Sequence, residues 1–296
     1  MKKIIVTYRV LFFCVFCPFV LFSQETPNTQ SLIELQQLSH QILKEGTDPE
    51  KDSLNVVFKN NIQSILTNAK FFSYPFDELK TIARFTSTDK QVRIFNWHIP
   101  YSDGTFSYHA FVVKKNNTEN KVEVFELTDN KTNLKNIENS TLKNTQWFGA
   151  HYYNLIEVKN GKQTYYTLLG WDGNNLLTNR KVIEVLYFNN NNELLLGASI
   201  FKSKQKPQKR YLFEYADEAN FTLNYNEKER CIIFDHLSPI SSGLKDVKAY
   251  HVPDGSFDAF KLEKGKWIFI SDYDARLEKN IKDKFYKLEK TPQPNK

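Results

Sequence analysis

The feature that most constrains this fold is a change in sequence pattern at about residue 92. From there to residue 271, short runs rich in Val, Ile, Phe and Tyr alternate with Asp-Gly, Asn-Gly, Lys-Gly or Asn clusters every ten to twelve residues. Runs bounded by such turn residues are typical of strands joined by tight hairpins. The sequence therefore predicts a mainly β fold of the α+β class, an antiparallel meander that forms a large sandwich, a barrel or a strongly curved sheet.

Thirteen short strands are predicted in this part of the chain. A standard propeller needs about four strands in each of at least about four blades, so this number falls short of one. The strands are expected near residues 91–99, 106–113, 121–127, 149–158, 163–171, 181–188, 193–201, 210–216, 220–225, 230–234, 247–251, 257–262 and 266–271.

The preceding residues carry a helical pattern instead. Between residues 31 and 69, apolar residues recur at three- and four-residue intervals in two stretches on either side of Pro49. This periodicity predicts a helical hairpin whose apolar stripes need a partner surface. We therefore expect a helical segment and aromatic connector over residues 24–90, packed as one folding unit on an antiparallel β domain over 91–272, with a polar, partly helical tail over 273–296.

The start of the chain has a composition of its own. Lys2, Lys3 and Arg9 are its only charges, and the run from Val10 to Phe22 is apolar. This run of 13 residues is shorter than the ~20 needed to span a bilayer, so residues 1–23 are predicted to be a cleaved secretory signal peptide. The mature protein is then expected in the periplasm or outside the cell, without an integral membrane span. A retained membrane anchor is the alternative.

The charge balance and the cysteines exclude several classes of partner and chemistry. The 40 basic and 34 acidic residues give a net charge of +6. Three of the basic residues lie in the leader, so the mature chain has 37 basic and 34 acidic residues and a net charge of +3. Because the two signs are interleaved, nucleic acid is not an expected partner. The basic run from Lys202 to Arg210 is predicted to be a solvated loop. Cys231, the one cysteine beyond the leader, is predicted to be buried and chemically silent.

Compact catalytic motifs are missing. The sequence contains no H-E-x-x-H, no G-x-S-x-G, no G-x-x-x-x-G-K-[ST] and no G-x-G-x-x-G. The six histidines are scattered singly, so neither a metal nor a cofactor is predicted. His236 stands beside Asp235, which could orient it as a general base. Adjacent strand residues point to opposite faces, however, so a structural loop histidine is the favoured interpretation.

Acidic and aromatic residues near turns supply the candidate ligand-binding positions. An exposed Trp can stack on a sugar, and Asp272, Asp274 and Arg276 would share one face of an extended segment, where they could bind a cation or a carboxylate. A structural, salt-bridged turn is favoured for these three. A calcium loop is not indicated, because the positions for its Gly and Glu hold Leu277 and Asp283. The candidates are Trp171, Asp172, Asp254, Asp258, Asp272, Asp274 and Arg276.

Four segments together resemble a group of uncharacterised exported bacterial proteins of unknown function. The resemblance implies export and the architecture of a single family over most of the mature chain. It implies no activity, cofactor or catalytic residue. The segments are residues 170–173 (Gly-Trp-Asp-Gly), 234–239 (Phe-Asp-His-Leu-Ser-Pro), 253–260 (Pro-Asp-Gly-Ser-Phe-Asp-Ala-Phe) and 266–276, which runs from Lys-Trp to Asp-Tyr-Asp-Ala-Arg.

Three classes of function stay open. A non-catalytic envelope or surface protein that binds a ligand or a partner, such as a glycan or another envelope protein, is favoured because catalytic motifs are missing. A carboxylate-dependent hydrolase acting on glycans is one alternative, since Asp254, Asp258, Asp272 and Asp274 lie close together in the chain. A carrier of an apolar ligand, held in a curved sheet beneath the helical hairpin, is the other.

Overall fold

The computed structural model of the protein describes residues 27–44, 46–116, 121–203 and 208–275. The predicted signal peptide, Arg276 and the rest of the predicted C-terminal tail beyond residue 275 lie outside these ranges. Within them, two N-terminal helices precede fifteen strands. The helices are α1 (Thr29–Lys44) and α2 (Asp48–Leu66). The strands are β1 (Ala83–Thr86), β2 (Val92–Pro100), β3 (Phe106–Asn116), β4 (Lys121–Thr128), β5 (Leu142–Lys143), β6 (His151–Asn160), β7 (Gln163–Asp172), β8 (Thr178–Phe188), β9 (Leu194–Leu196), β10 (Phe201–Lys202), β11 (Tyr211–Ala216), β12 (Leu223–Asn226), β13 (Cys231–Pro239), β14 (His251–Glu263) and β15 (Lys266–Ile270).

The helical hairpin follows the predicted periodicity. Leu35 and Ile42 of α1, seven residues apart, are buried, as are Phe58 and Ile62 of α2, four residues apart. At the start of α2 the backbone N–H of the capping residue Thr47 donates to the Glu50 carboxylate at 2.7 Å. No helix of the described ranges is long and apolar enough to cross a bilayer.

The strands form three sheets. The first sheet has the order β1-β2-β3-β4, and the outer sheet has the order β10-β15-β14-β13-β12. Between them lies the central sheet, ordered β5-β9-β8-β7-β6, with β11 paired to β8 beside β9. Each of these sheets, as described, has two ends and does not close on itself.

Three apolar cores hold the layers together. The helical hairpin packs on one face of the first sheet, the other face of that sheet packs on the central sheet, and the central sheet packs on the outer sheet. Strand β2 shows the cause, because Phe95 and Trp97 turn to the helices while Ile94 turns to the central sheet. Strand β8 likewise sends Val182 to one core and Ile183 to the next. Both strands are therefore buried on both faces.

The fold class predicted from the sequence is confirmed: the chain is mainly β, the strands pair largely antiparallel, and the helical hairpin packs on a stack of sheets. Two details differ. Strands β10 and β15 pair in parallel, with Phe201 opposite Trp267. The strand predicted at 247–251 is wrong, since residues 248–250 form a 3-10 turn and β14 begins only at His251. A short strand, β1, also lies before residue 91, where only connector was expected.

Candidate functional site

The structure divides the predicted site residues between two places. Trp171 and Asp172 end β7 in the central sheet, whereas Asp254 and Asp258 lie on β14 of the outer sheet, with Asp272 beside them. Asp274 follows β15 in the described part of the chain, and Arg276 lies outside it. The shared face predicted for positions 272, 274 and 276 therefore stays a prediction.

Trp171 is held by neighbours within the protein. Its ring meets the ring of Phe106 edge to face at a centroid distance of 5.1 Å and that of His98 at 5.8 Å. The indole N–H donates to Asn179 Oδ1 at 3.1 Å. Since both the ring and its one donor are engaged, Trp171 serves as part of an aromatic cluster, and its half-buried edge is what remains for a ligand.

Asp172 is buried, with only 1% of its side chain exposed. Lys131 Nζ lies 2.5 Å from Oδ1, and Arg180 Nη1 lies 3.5 Å from Oδ2. The backbone N–H of Asn174 also donates to Oδ1 at 3.1 Å. Arg180 then donates to Glu214 Oε2 at 2.9 Å, which extends the network to β11. A buried carboxylate surrounded in this way is a structural anchor rather than an open ligand site.

His236 finds its carboxylate on the neighbouring strand. It lies within β13 and not in a loop, and its Nδ1 is 2.8 Å from Asp258 Oδ2. A bulge makes the pairing possible: Asp235 is opposite Phe257 but Leu237 is opposite Pro253, so residues 254–256 loop out of the ladder. The hydrogen bond to Asp258 raises the pKa of His236. The adjacent Asp235 instead accepts the backbone N–H of Thr222.

Asp254 sits in the same bulge and is bound by hydroxyl groups. Ser238 Oγ donates to Oδ2 at 2.8 Å, and Ser256 Oγ donates to Oδ1 at 2.7 Å. These hydrogen bonds lower the pKa of Asp254 to about 2, and the bond from Ser256 has the larger effect. Asp258 accepts the backbone N–H of Asp272 at 3.2 Å as well as pairing with the imidazole. The carboxylates at positions 254 and 258 are thus both engaged by protein donors.

A cavity that the sequence did not indicate opens along one edge of β11. It encloses about 800 Å³. Residues of β11 form its floor, and two segments far apart in the sequence form its walls: the loop before β5, and the segment that runs from the end of β13 to the first residue of β14. The lining includes Leu212, Phe213 and Glu214 of the floor, Leu134 and Ile137 of the first wall, and Leu237, Lys248 and His251 of the second.

A second cavity of about 570 Å³ lies past the end of β11. Leu176, Leu177, Ile240 and Tyr250 line it, and all four are among the most exposed large apolar side chains that the structure describes, with Leu176 72% exposed. The 3-10 turn at Lys248–Tyr250 packs against β11 between the two cavities. We call the two cavities together with this edge of β11 the β11 groove.

The edge of β11 that faces the groove has no strand beside it. β11 pairs with β8 alone, with Tyr211 opposite Ile183 and Ala216 opposite Thr178. The next pair in this register is bonded, since the N–H of Asp217 donates to the carbonyl of Leu177 at 3.0 Å. Bonded and non-bonded pairs alternate in an antiparallel ladder, so Leu212 and Glu214 direct their N–H and C=O groups into the groove. Ala216 lies on the same edge, but its carbonyl accepts the N–H of Ala219 at 3.0 Å.

Other chemistry is sparse in the part of the chain that the structure covers. Within it, no group of three or more His, Cys, Asp or Glu side chains is placed to hold a metal ion. Cys231 is buried, and burial raises the pKa of its thiol. Arg210, expected in a solvated basic loop, is fully buried and donates to Glu184 Oε2 at 2.5 Å. Its guanidinium ties the loop at 137–140 to the central sheet.

No protein-family model, curated protein or solved structure matches the chain. The β11 groove and the His236–Asp258 pair are therefore the features from which we infer a function.

Proposed function

We propose that this chain is an exported, non-catalytic binding protein of the bacterial envelope or cell surface, and that the β11 groove takes its ligand or partner. The observation that carries the proposal is a cleft of about 800 Å³ with apolar walls, a few charged groups and an unpaired strand edge. Ligand sites in proteins typically enclose ~300–1,000 Å³ and combine an apolar lining with a few polar groups.

The states of the predicted carboxylates support binding over hydrolysis. A glycosidase needs two carboxyl groups facing a shared, accessible space. Asp172 is instead buried against Lys131, Asp254 accepts two hydroxyl groups, and Asp258 is bonded to His236. These contacts favour a scaffold role for Asp172, Asp254 and Asp258.

The packing of the helical hairpin disfavours the carrier alternative. Apolar side chains fill the layer between the helices and the first sheet, where Phe58 and Trp97 meet edge to face at 5.0 Å. Trp97 also donates through Nε1 to Asn55 Oδ1 at 2.9 Å. A ligand beneath the hairpin would have to displace this packed core, at a cost of several kcal/mol, about that of emptying a core site.

The His236–Asp258 pair is the observation that favours a second candidate, a hydrolase with a general base. Asp258 holds the Nδ1 side of the ring, and 47% of the His236 side chain is exposed. That arrangement could pass a proton to or from a substrate. Under this alternative, His236→Asn abolishes turnover of a substrate and the β11 groove is irrelevant to it.

The binding proposal is tested with the chain beginning at Gln24. Glycan arrays, envelope lipids and a peptide library are screened for binding to the wild type and to two groove variants. Leu237→Trp fills the groove with a larger side chain, and Lys248→Glu reverses the charge of the side chain at position 248. The matched control is Lys80→Glu, an exposed site in the connector. We expect a ligand whose affinity falls about tenfold or more in both groove variants, as for the loss of a central contact, and is unchanged in the control.

Two results would contradict this proposal. One is a ligand indifferent to both groove variants, and the other is turnover of a glycan or ester that requires His236. Export is tested separately by sequencing the N-terminus of the protein recovered from the producing bacterium. A product that keeps Met1 and stays with the membrane would replace the cleaved leader by an anchor.

A further inference from the structure

We propose that the β11 groove binds an extended polypeptide segment, which adds to the central sheet as a new strand beside β11. This inference rests on the proposed function and specifies its ligand class. It is carried by the juxtaposition of an unpaired strand edge with two side-chain walls, one on each face of the sheet.

The backbone of β11 presents free hydrogen-bonding groups to the larger cavity. Leu212 and Glu214 direct their N–H and C=O groups into the larger cavity, and within the described ranges no backbone group bonds them from that side. These N–H and C=O groups recur at every second residue, which is the spacing of the backbone donors and acceptors along the edge of another extended chain. Sugars and lipids do not present alternating donors and acceptors at this spacing. A strand edge left open in this way is a template for pairing.

The walls of the larger cavity belong to two different cores. Leu134, Ile137 and Leu212 pack with the core between the first and central sheets, whereas Phe213 and Leu237 pack with the core between the central and outer sheets. The cavity therefore has one wall on each face of the central sheet. An added strand would point successive side chains to the two walls in turn.

The charges distinguish the walls. The first wall offers the apolar side chains of Leu134 and Ile137 and the carboxylate of Glu138. The second carries Lys248 and Leu237, together with His251, whose Nε2 is bonded to the carbonyl of Lys245. Lys248 makes no ion pair with any residue that the structure covers. The segment that fits has apolar side chains at every second position and at least one acidic side chain among the intervening ones.

The length of the free edge limits the segment. The 3-10 turn at Lys248–Tyr250 packs against β11, so the open part of the edge runs from Tyr211 to about Glu214. A paired strand there has about four residues and spans ~13 Å at ~3.3 Å per residue. The exposed apolar side chains of the second cavity, of which Leu176 is the most exposed, lie beyond the turn. They can contact residues of the bound segment that extend past its paired part.

The experiment begins with a random dodecapeptide library displayed on phage and selected on the immobilised chain from Gln24. Selected peptides are synthesised, and their affinities are measured for the wild type and for two variants at one site. Leu212→Ala shortens the side chain and keeps the backbone N–H, whereas Leu212→Pro removes both the leucine side chain and the N–H. This N–H lies on the edge of β11 that does not pair with β8. We expect the proline variant to bind about tenfold more weakly than the alanine variant, because a buried acceptor in the peptide loses its donor.

A scan of the peptide itself gives a readout that does not depend on how the variants fold. Each backbone nitrogen of the best peptide is methylated in turn. Strand addition requires that methylation weaken binding at every second residue, by about tenfold, and leave the intervening residues within about twofold. A scan without this two-residue period, or a selection that enriches no peptide over the immobilised Leu212→Pro chain, overturns the proposal.

The failure of this inference can be told apart from that of the proposed function. A glycan or lipid that binds the wild type, loses affinity in Lys248→Glu and Leu237→Trp, and is indifferent to Leu212→Pro would overturn strand addition while keeping the groove as the binding site. Ligands indifferent to all three variants would overturn both.

Discussion

The helix-covered face of the first sheet and the open edge of β11 are built from similar residue types but differ in what covers them. On the covered face, Trp97 is only 2% exposed and Phe58 is fully buried against it. At the groove, Leu176 is 72% exposed, and Leu212 and Glu214 direct backbone groups into a cavity. Two amphipathic helices close the first surface, and no described element closes the second.

The difference is clearest for the polar groups. On the covered face, Arg93 Nη1 donates to the carbonyl groups of Phe72 and Tyr74, both at 2.6 Å. His109 Nε2 lies 3.1 Å from Asn55 Nδ2. Burying a polar group without a partner costs about 1–3 kcal/mol, so a closed interface has to supply these partners. The groove can leave its edge groups unpaired because solvent or a ligand reaches them, which is the property that a binding site needs.

The largest expected effect comes from opening the covered face. Trp97→Ala removes a fully packed ring and its bond to Asn55, so the free energy of unfolding should fall by about 3–5 kcal/mol. Urea denaturation followed by circular dichroism measures it. Trp97→Phe, which keeps a ring, serves as the control and should lose much less. An effect of Trp97→Ala below about 1 kcal/mol would contradict the packing of the hairpin on the sheet.

Lowering the pH should destabilise the protein by a smaller amount, through His98 and His109 of the first sheet and His151 of the central sheet. Burial lowers the pKa of His109 and of His151 to about 4, and it also lowers the pKa of His98, whose Nδ1 lies 3.3 Å from that of His151. The unfolded chain, with imidazole pKa values of ~6.5, binds more protons between about pH 4 and 6.5. Stability is therefore lost as the pH falls through that window, by on the order of 2 kcal/mol.

Urea midpoints of the wild type and of His151→Phe, compared at pH 7 and pH 5, test this prediction. The variant lacks one of the titrating imidazoles, while its carboxylates titrate as in the wild type. Its loss of stability over this interval should be smaller than that of the wild type. An equal loss of stability in the two proteins would show that protonation of His151 does not change the free energy of unfolding.

The opposite pH dependence is expected on the side of the molecule that carries the groove. Because the pKa of His236 is raised, mainly by its hydrogen bond to Asp258, its contribution to stability is complete below pH ~6.5 and is lost as the pH rises through the folded pKa. The contribution is small, since nearly half of the side chain is exposed. NMR titration of the ring protons should give His236 a pKa above 6.5 and His151 one well below it. Asp258→Asn should return the His236 value toward 6.5.

The smallest effect is expected from the groove itself. Leu176→Arg adds a charge to a side chain that is already 72% exposed, so the free energy of unfolding should change by no more than about 0.5 kcal/mol. Thermal unfolding of the purified variant is the measurement. A large loss of stability would mean that Leu176 is covered in the native protein, and the contrast between the covered face and the open groove would no longer hold.

Sequence patterns predicted the parts of the fold in which each residue's neighbours along the chain are decisive. The three- and four-residue repeat located both helices, and alternating or continuous apolar runs located the longer strands, such as β2, β7 and β8. The short strands were harder: β1 and β5 were not predicted, because two to four residues carry too little periodicity. The parallel pairing of β10 with β15 joins segments more than sixty residues apart, and no local pattern indicates it.

The candidate site was predicted less well, for a related reason. The sequence drew attention to Trp171 and Asp172 through their turn, but the tertiary structure buries the carboxylate against Lys131, forty-one residues away. The tertiary structure also pairs His236 with Asp258 of β14, through a bulge that changes the register of the strands. The sequence indicated only the adjacent Asp235 as a partner. A side chain's partner is set by strand pairing, which the residue types alone do not determine.

The sequence by itself thus determined the secondary structure of the longer elements, the mainly β class and the need of the helical hairpin for a covering partner, since all three follow from the spacing of apolar residues along the chain. Only the tertiary structure decided which surfaces are closed and which stay open. The β11 groove joins the loop at residues 134–138, the strand at 211–216 and the turn at 248–250. Its shape depends on how three distant segments pack, and packing is a property of the whole molecule.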